Sequence, residues 1–136
     1  MQQTGFAHDD RIGLDRSQAE PAGSQTFRLY EDLSDSRVSA ILRLKAVGLA
    51  QDESIWIDLN GKEVERHYIE TRRVGGQSKT IGKKLPEYVQ HTVRLDWQPA
   101  TIVKGKNELR VRLNTGLSTE GTITIDDLEV YVYVRP

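Results

Sequence analysis

From Val38 onward, apolar residues recur at every second position, the period of a strand with one buried face. In RVSAILRLKAV, Val38, Ala40, Leu42, Leu44 and Ala46 share one face, and Ser39, Arg43 and Lys45 the other, with Ile41 an apolar exception. Arg, Leu, Lys and Ala also favour helices, but the alternation outweighs that propensity and predicts a strand. SIWIDL repeats the pattern, with Ile55, Ile57 and Leu59 inward and Trp56 and Asp58 outward. Asn60-Gly61 follows at once, then KEVERHYIE. Both turn residues tolerate the positive φ of a type I′ turn, so this stretch predicts a hairpin.

Further strands are predicted at QTFRLYE (25–31) and at 88–95, 108–113 and Thr122–Val134. In the last, Ile123 and Ile125 are odd-numbered, whereas Leu128, Val130, Val132 and Val134 are even. That phase slip predicts a β-bulge or bend at Asp126-Asp127. Turn signals separate the runs: Gly48, Asn60-Gly61, Gly75-Gly76, Lys104 to Asn107, and Asn114 to Gly116. No segment holds a helical period beyond two turns. About seven or eight strands spaced this way predict an all-β, two-sheet antiparallel sandwich. Residues 1–24 read as a polar tail or an extended first strand, in which Phe6, Ile12 and Leu14 are candidates to dock, and 25–136 as one sandwich domain.

A length of 136 residues suits a single domain that folds without disulfides or metal. With Lys+Arg 19 against Asp+Glu 20, the formal net charge of -1 argues against a general polyanion binder, so nucleic acid is not an expected partner. No apolar run of about 18 residues exists, so no membrane span is expected. The absence of cysteine excludes thiol catalysis, Cys-based zinc sites and a disulfide scaffold. Met1 is followed by the polar QQTGFAHDDR, and no signal peptide is visible.

Three pieces, in their order along the chain, resemble galactose-binding-like β-sandwich domains. IWIDLNGKEV (55–64) is similar to their strand, Asn-Gly-Lys, strand hairpin. HTVRLDWQPATIVKGKNELRVRL (91–113) is similar to the later part, where a Gly-Lys-Asn turn feeds a Leu-x-Val-x-Leu strand. TITIDDLEVYV (122–132) resembles the closing strand of jelly-roll carbohydrate-binding modules. The resemblance implies a jelly-roll accessory domain of glycoside hydrolases, non-catalytic and extracellular or periplasmic. Its partner would be a polysaccharide or oligosaccharide. A structural domain that packs on a neighbouring protein domain, with no sugar site, is the alternative, because one sandwich serves both ends.

If Leu59 faces Lys62, then Asp58 faces Glu63, Ile57 Val64, Trp56 Glu65 and Ser54 His67. Trp56, Glu65 and His67 would then form an aromatic plate beside hydrogen-bonding groups, as sugars require; ordinary packing of Trp56 is the simpler reading. Asp58 opposite Glu63 is a like-charge pair that needs a nearby cation unless both side chains are solvated, which is the simpler expectation. The stretch 71–88 reads as a long basic loop carrying Arg72, Arg73, Lys79, Lys83 and Lys84, able to hold an anionic sugar, contact another domain or pair with the acidic N-terminal third. A solvated insertion is its simpler reading. Tyr88 and Trp97 complete the candidate ligand-binding set, Trp97 either exposed at a strand end or plugging the sandwich. Asp126 and Asp127 are candidate ligands for a structural calcium, which the jelly-roll resemblance implies, although a bulge accounts for them as well. No other cofactor is expected. His8, His67 and His91 lack metal-ligand spacing and no serine sits in a Gly-x-Ser-x-Gly elbow, so intrinsic catalysis is not expected.

Overall fold

The alternation of Val38 to Val47 is realised as a strand whose even-numbered residues are buried and odd-numbered ones half-buried. The computed structural model describes residues 2–4, 6, 10–50, 52–77, 84–98, 101–114 and 121–136, with backbone alone at 2–4, 76–77 and 84–86. The strands are β1 (Gln2–Thr4), β2 (Ile12–Asp15), β3 (Ala22–Leu29), β4 (Val38–Val47), β5 (Ser54–Leu59), β6 (Lys62–Glu63), β7 (Ile69–Gln77), β8 (Lys84–Arg94), β9 (Gly105–Asn114) and β10 (Thr122–Val134). Two 3-10 turns, Arg66–Tyr68 and Leu95–Trp97, are the helical elements among the described residues, and no helix there is long and apolar enough to cross a membrane.

The chain is an all-β sandwich of two antiparallel sheets. The first runs β1-β10-β4-β8-β7, with β2 also paired to β10, and the second runs β3-β9-β5-β6. Inward side chains of both sheets make one core: Leu42, Leu44, Val93, Ile123 and Ile125 from the first meet Ile57, Leu59, Leu109 and Val111 from the second. All nine are fully buried. Burial of apolar surface on this scale is the main force that holds the layers together.

The phase slip in β10 is a bulge. Asp126 faces Lys45 while Glu129 faces Arg43, so three steps along β10 match two along β4. Asp127 takes up the extra residue at φ 49°. The bulge turns Ile123 and Ile125, and then Leu128, Val130 and Val132, toward the same core despite their opposite numbering. Ile12 and Leu14 of β2 are buried beside the first half of β10, and Phe6 stacks on Phe27 at 5.1 Å.

The Asn60-Gly61 turn has both residues at positive φ (51° and 83°), and Asp58 faces Glu63 across it as the sequence predicts. The Asn60 side chain is also a brace. Its Nδ2 donates to the Thr101 carbonyl at 2.7 Å and to Asn107 Oδ1 at 2.8 Å, and its Oδ1 accepts from the Glu108 amide at 2.7 Å. Asn107, 1% exposed, ties the Val103 amide and carbonyl and the Gly105 carbonyl together. Two turns that read as separate in the sequence are thus one hydrogen-bonded unit.

Two expectations change. The return strand of the hairpin is two residues long, because the chain leaves the second sheet after Val64 and crosses to the first through Arg66–Tyr68. The long basic loop is instead a β-hairpin: 71–77 belong to β7 and 84–88 to β8. The sequence hides this hairpin because β7 is an edge strand whose inward positions include polar Thr71 and Arg73, which leaves no apolar alternation to see. Lys79 and Lys83 lie outside the described residues, as does the side chain of Lys84.

Candidate functional site

Three adjacent strands set the outer face of the first sheet. Register places Arg72, Gln90 and Lys45 in one row, Glu70, Thr92 and Arg43 in the next, and Arg94 beside Ile41 in a third. Between these rows lies a broad groove of about 870 Å³. The side chains of Glu70, Arg72, Gln90 and Thr92 make no hydrogen bond or ion pair with any described residue. Arg43 lies 5.4 Å from the Tyr131 ring, and its buried Nε has no hydrogen-bond partner. Donors and acceptors therefore alternate across this surface, exposed at Glu70 and Arg72 and half-buried at Gln90 and Thr92.

The groove is flanked by aromatic rings. Tyr88 sits one row beyond Gln90, with Lys45 Nζ 4.8 Å from its centroid. Lys45 is itself held by Asp127 at 2.8 Å, a hydrogen bond that raises its pKa. At the other end, Trp97 is 53% exposed, with the Arg94 guanidinium 4.6 Å from its ring and Tyr68 edge-on at 6.2 Å. Arg94 is aimed by Asp96 through paired bonds of 3.1 and 2.7 Å. Burial pushes the Asp96 carboxyl up, but the bonds from Arg94 and the Ala40 amide outweigh it and leave it below its usual value.

A second concavity lies on the other side of β7, where the two sheets part. This cleft, of about 430 Å³, has apolar walls from Leu49, Ile55, Ile69 and Val89. Its polar groups come from Arg66, Thr71, Arg73, Glu53 and His91. Glu53, 6% exposed, is saturated: Arg16 donates to both oxygens at 2.9 and 2.7 Å and the Ala50 amide to one at 2.8 Å. The bond from Arg16 holds its carboxyl below the usual range against the opposing effect of burial. Arg73 pairs with Glu87 at 2.6 Å, within its own hairpin rather than with the acidic N-terminal third.

On the outer face of the second sheet, Arg112 reaches Asp58 through two bonds (2.7 and 2.9 Å) and Glu63 through a third (2.8 Å). The like-charge pair is thus bridged by a cation, and Asp58 is only 6% exposed rather than solvated. Trp56 is covered by Arg66, whose guanidinium carbon lies 4.1 Å from the ring centroid.

The sequence-predicted residues therefore separate. Arg72 and Tyr88 share the groove face and Trp97 ends it, whereas Trp56 lies on the opposite sheet and Arg73 turns toward the cleft. The expected Trp56–Glu65–His67 plate does not form, because β6 stops at Glu63; Glu65 and His67 are exposed and pair with each other at 3.3 Å. Asp126 is engaged by Arg11 at 3.2 Å and Asp127 by Lys45, and no metal-binding group of three acids or histidines occurs among the described residues. The candidate calcium ligands thus serve as cation partners at a bulge. Glu70, Gln90, Thr92 and Arg43 were missed, although Gln90 and Thr92 are the outward partners of Val89 and Val93 in a strand the sequence shows.

No protein-family model, curated protein or solved structure matches the chain. Local chemistry alone must carry the functional reading.

Proposed function

We propose that the chain is a non-catalytic glycan-binding module of the galactose-binding-like kind, which takes a polysaccharide or oligosaccharide in the groove across β7, β8 and β4. The supporting observation is the row of unpartnered side chains, Glu70, Arg72, Gln90 and Thr92. Vicinal sugar hydroxyls donate and accept at once, so a surface that alternates carboxylate, guanidinium, amide and hydroxyl is complementary to them. Trp97 supplies the exposed ring on which the C–H face of a sugar stacks. The groove spans three strands and is shallow, which suits a chain lying across it.

Retardation in native gels containing soluble polysaccharides tests this reading. Wild-type protein is retarded by at least one of them, and Arg72→Ala or Trp97→Ala weakens that retardation about fivefold or more, equivalent to roughly 1 kcal/mol each. A second reading, a protein-interaction domain, draws on the edge of β7, unpaired among the described residues, and on exposed Tyr133 and Val134 at the end of β10. Concentration-dependent dimerisation with no retardation on any glycan would replace the first reading with the second.

A further inference from the structure

The cleft between the sheets holds a histidine that the groove does not use. His91 is 4% exposed on the inward side of β8, in phase with Val89 and Val93. Its Nδ1 lies 3.1 Å from the Val89 carbonyl oxygen. A carbonyl only accepts, so the ring proton is on Nδ1 and Nε2 carries a bare lone pair. That nitrogen has no partner among the described residues, and the ring lines the cleft. Burial, with the nearby Arg66 charge as a lesser cause, pushes the imidazole down to about 4, so it is a neutral acceptor at pH 7.

Arg66 supplies the opposite chemistry. It has no carboxylate partner among the described residues, and its guanidinium is fixed by the Trp56 ring and by a 3.1 Å bond to Ser54 Oγ. A stacked guanidinium keeps in-plane donors free for a bidentate anion. Arg73 is paired with Glu87 and Glu53 with Arg16, so Arg66 is the positive charge on the cleft that acts on His91 and favours an anion beside it. Apolar walls complete a largely polar site in the size range that small molecules occupy.

We infer that this cleft is a second binding site, for a small hydroxylated carboxylate such as a sugar acid, with Arg66 taking the carboxylate and His91 Nε2 accepting from a hydroxyl. The ligand ring packs on Ile55, Ile69 and Val89. The site adjoins the groove at Thr71, which lines both, but uses none of Glu70, Arg72, Gln90 or Thr92, so it stands whether or not the groove binds glycan.

Nuclear magnetic resonance titration with sodium glucuronate, methyl glucoside and sodium acetate tests it, with the His91 imidazole nitrogens and the Arg66 Nε followed directly. Glucuronate shifts His91 Nε2 toward the hydrogen-bonded value while Nδ1 stays protonated, and it binds at least about tenfold more tightly than either of the other two, as loss of one charge-assisted or one neutral contact requires. Arg66→Ala, an exposed position, weakens glucuronate about tenfold, whereas Arg110→Ala on the second sheet leaves it unchanged. His91→Gln removes the preference for glucuronate over acetate while circular dichroism reports an intact sandwich. An unmoved His91 Nε2 at saturating glucuronate, equal affinity for methyl glucoside, or equal affinity for acetate would each overturn the assignment.

Discussion

The two sheets differ in the polar residues they leave open. The second commits them: Arg112 closes on Asp58 and Glu63, and Asn60 and Asn107 lock two turns together. The first commits Lys45, Arg73 and Arg94 to carboxylates but, among the described residues, leaves Glu70, Arg72, Gln90 and Thr92 unpaired outward and His91 Nε2 unpaired inward. Both sheets follow the same alternation, so pattern does not distinguish them. Partners do. A committed polar group stabilises the fold, while an open one adds little to stability and is available to a ligand.

The largest expected effect sharpens this contrast on the first sheet. The folded value of about 4 for His91 lies below the 6.5 of a free imidazole. Between those two values the unfolded chain binds a proton that the folded chain does not, so stability falls as pH drops from 6.5 toward 4, by up to about 3 kcal/mol. Urea midpoints at pH 7 and pH 5 should show the decline, and His91→Gln should flatten it. Glu53 and Asp96, whose folded values are lowered, contribute stability that is present above their unfolded values near 4 and lost as pH falls through the folded ones.

Next come the committed groups of the second sheet. Asn107→Ala removes a buried side chain that satisfies four partners and should cost about 3 kcal/mol in urea unfolding. Asp58→Ala strands Arg112 on a single carboxylate, and a loss of about 1–2 kcal/mol is expected by the same measurement. The smallest effect on stability belongs to the groove: Glu70→Ala and Arg72→Ala should shift stability by no more than about 0.5 kcal/mol while glycan retardation falls. A destabilisation by Arg72→Ala equal to that of Asp58→Ala would erase the distinction between the sheets.

Strands that bury a full apolar stripe were legible in the sequence. Leu42 and Leu44 in β4, Ile57 in β5 and Leu109 and Val111 in β9 all face a closed core, so hydrophobicity alone marks them. The bulge at Asp126-Asp127 was legible for the same reason, because both halves of β10 keep a stripe. β7 was not. Its inward Thr71 and Arg73 face the open cleft, where nothing requires an apolar residue. His91 was hidden likewise: it sits in an inward position where the core gives way to the cleft. The Asp58–Glu63 pairing was readable from the turn, but the cation that bridges it was not, since Arg112 lies 54 residues away from Asp58. Trp56 and Arg72 appeared equivalent as candidates until topology set them on opposite sheets.

Amide resonances followed during titration with a glycan that retards the protein test the groove most directly. The expected result is a set of shifts confined to Glu70, Arg72, Gln90, Thr92 and the neighbouring Trp97, with Asp58, Glu63 and Arg112 unmoved. Shifts centred on the second sheet, around Trp56 and Arg112, would contradict it.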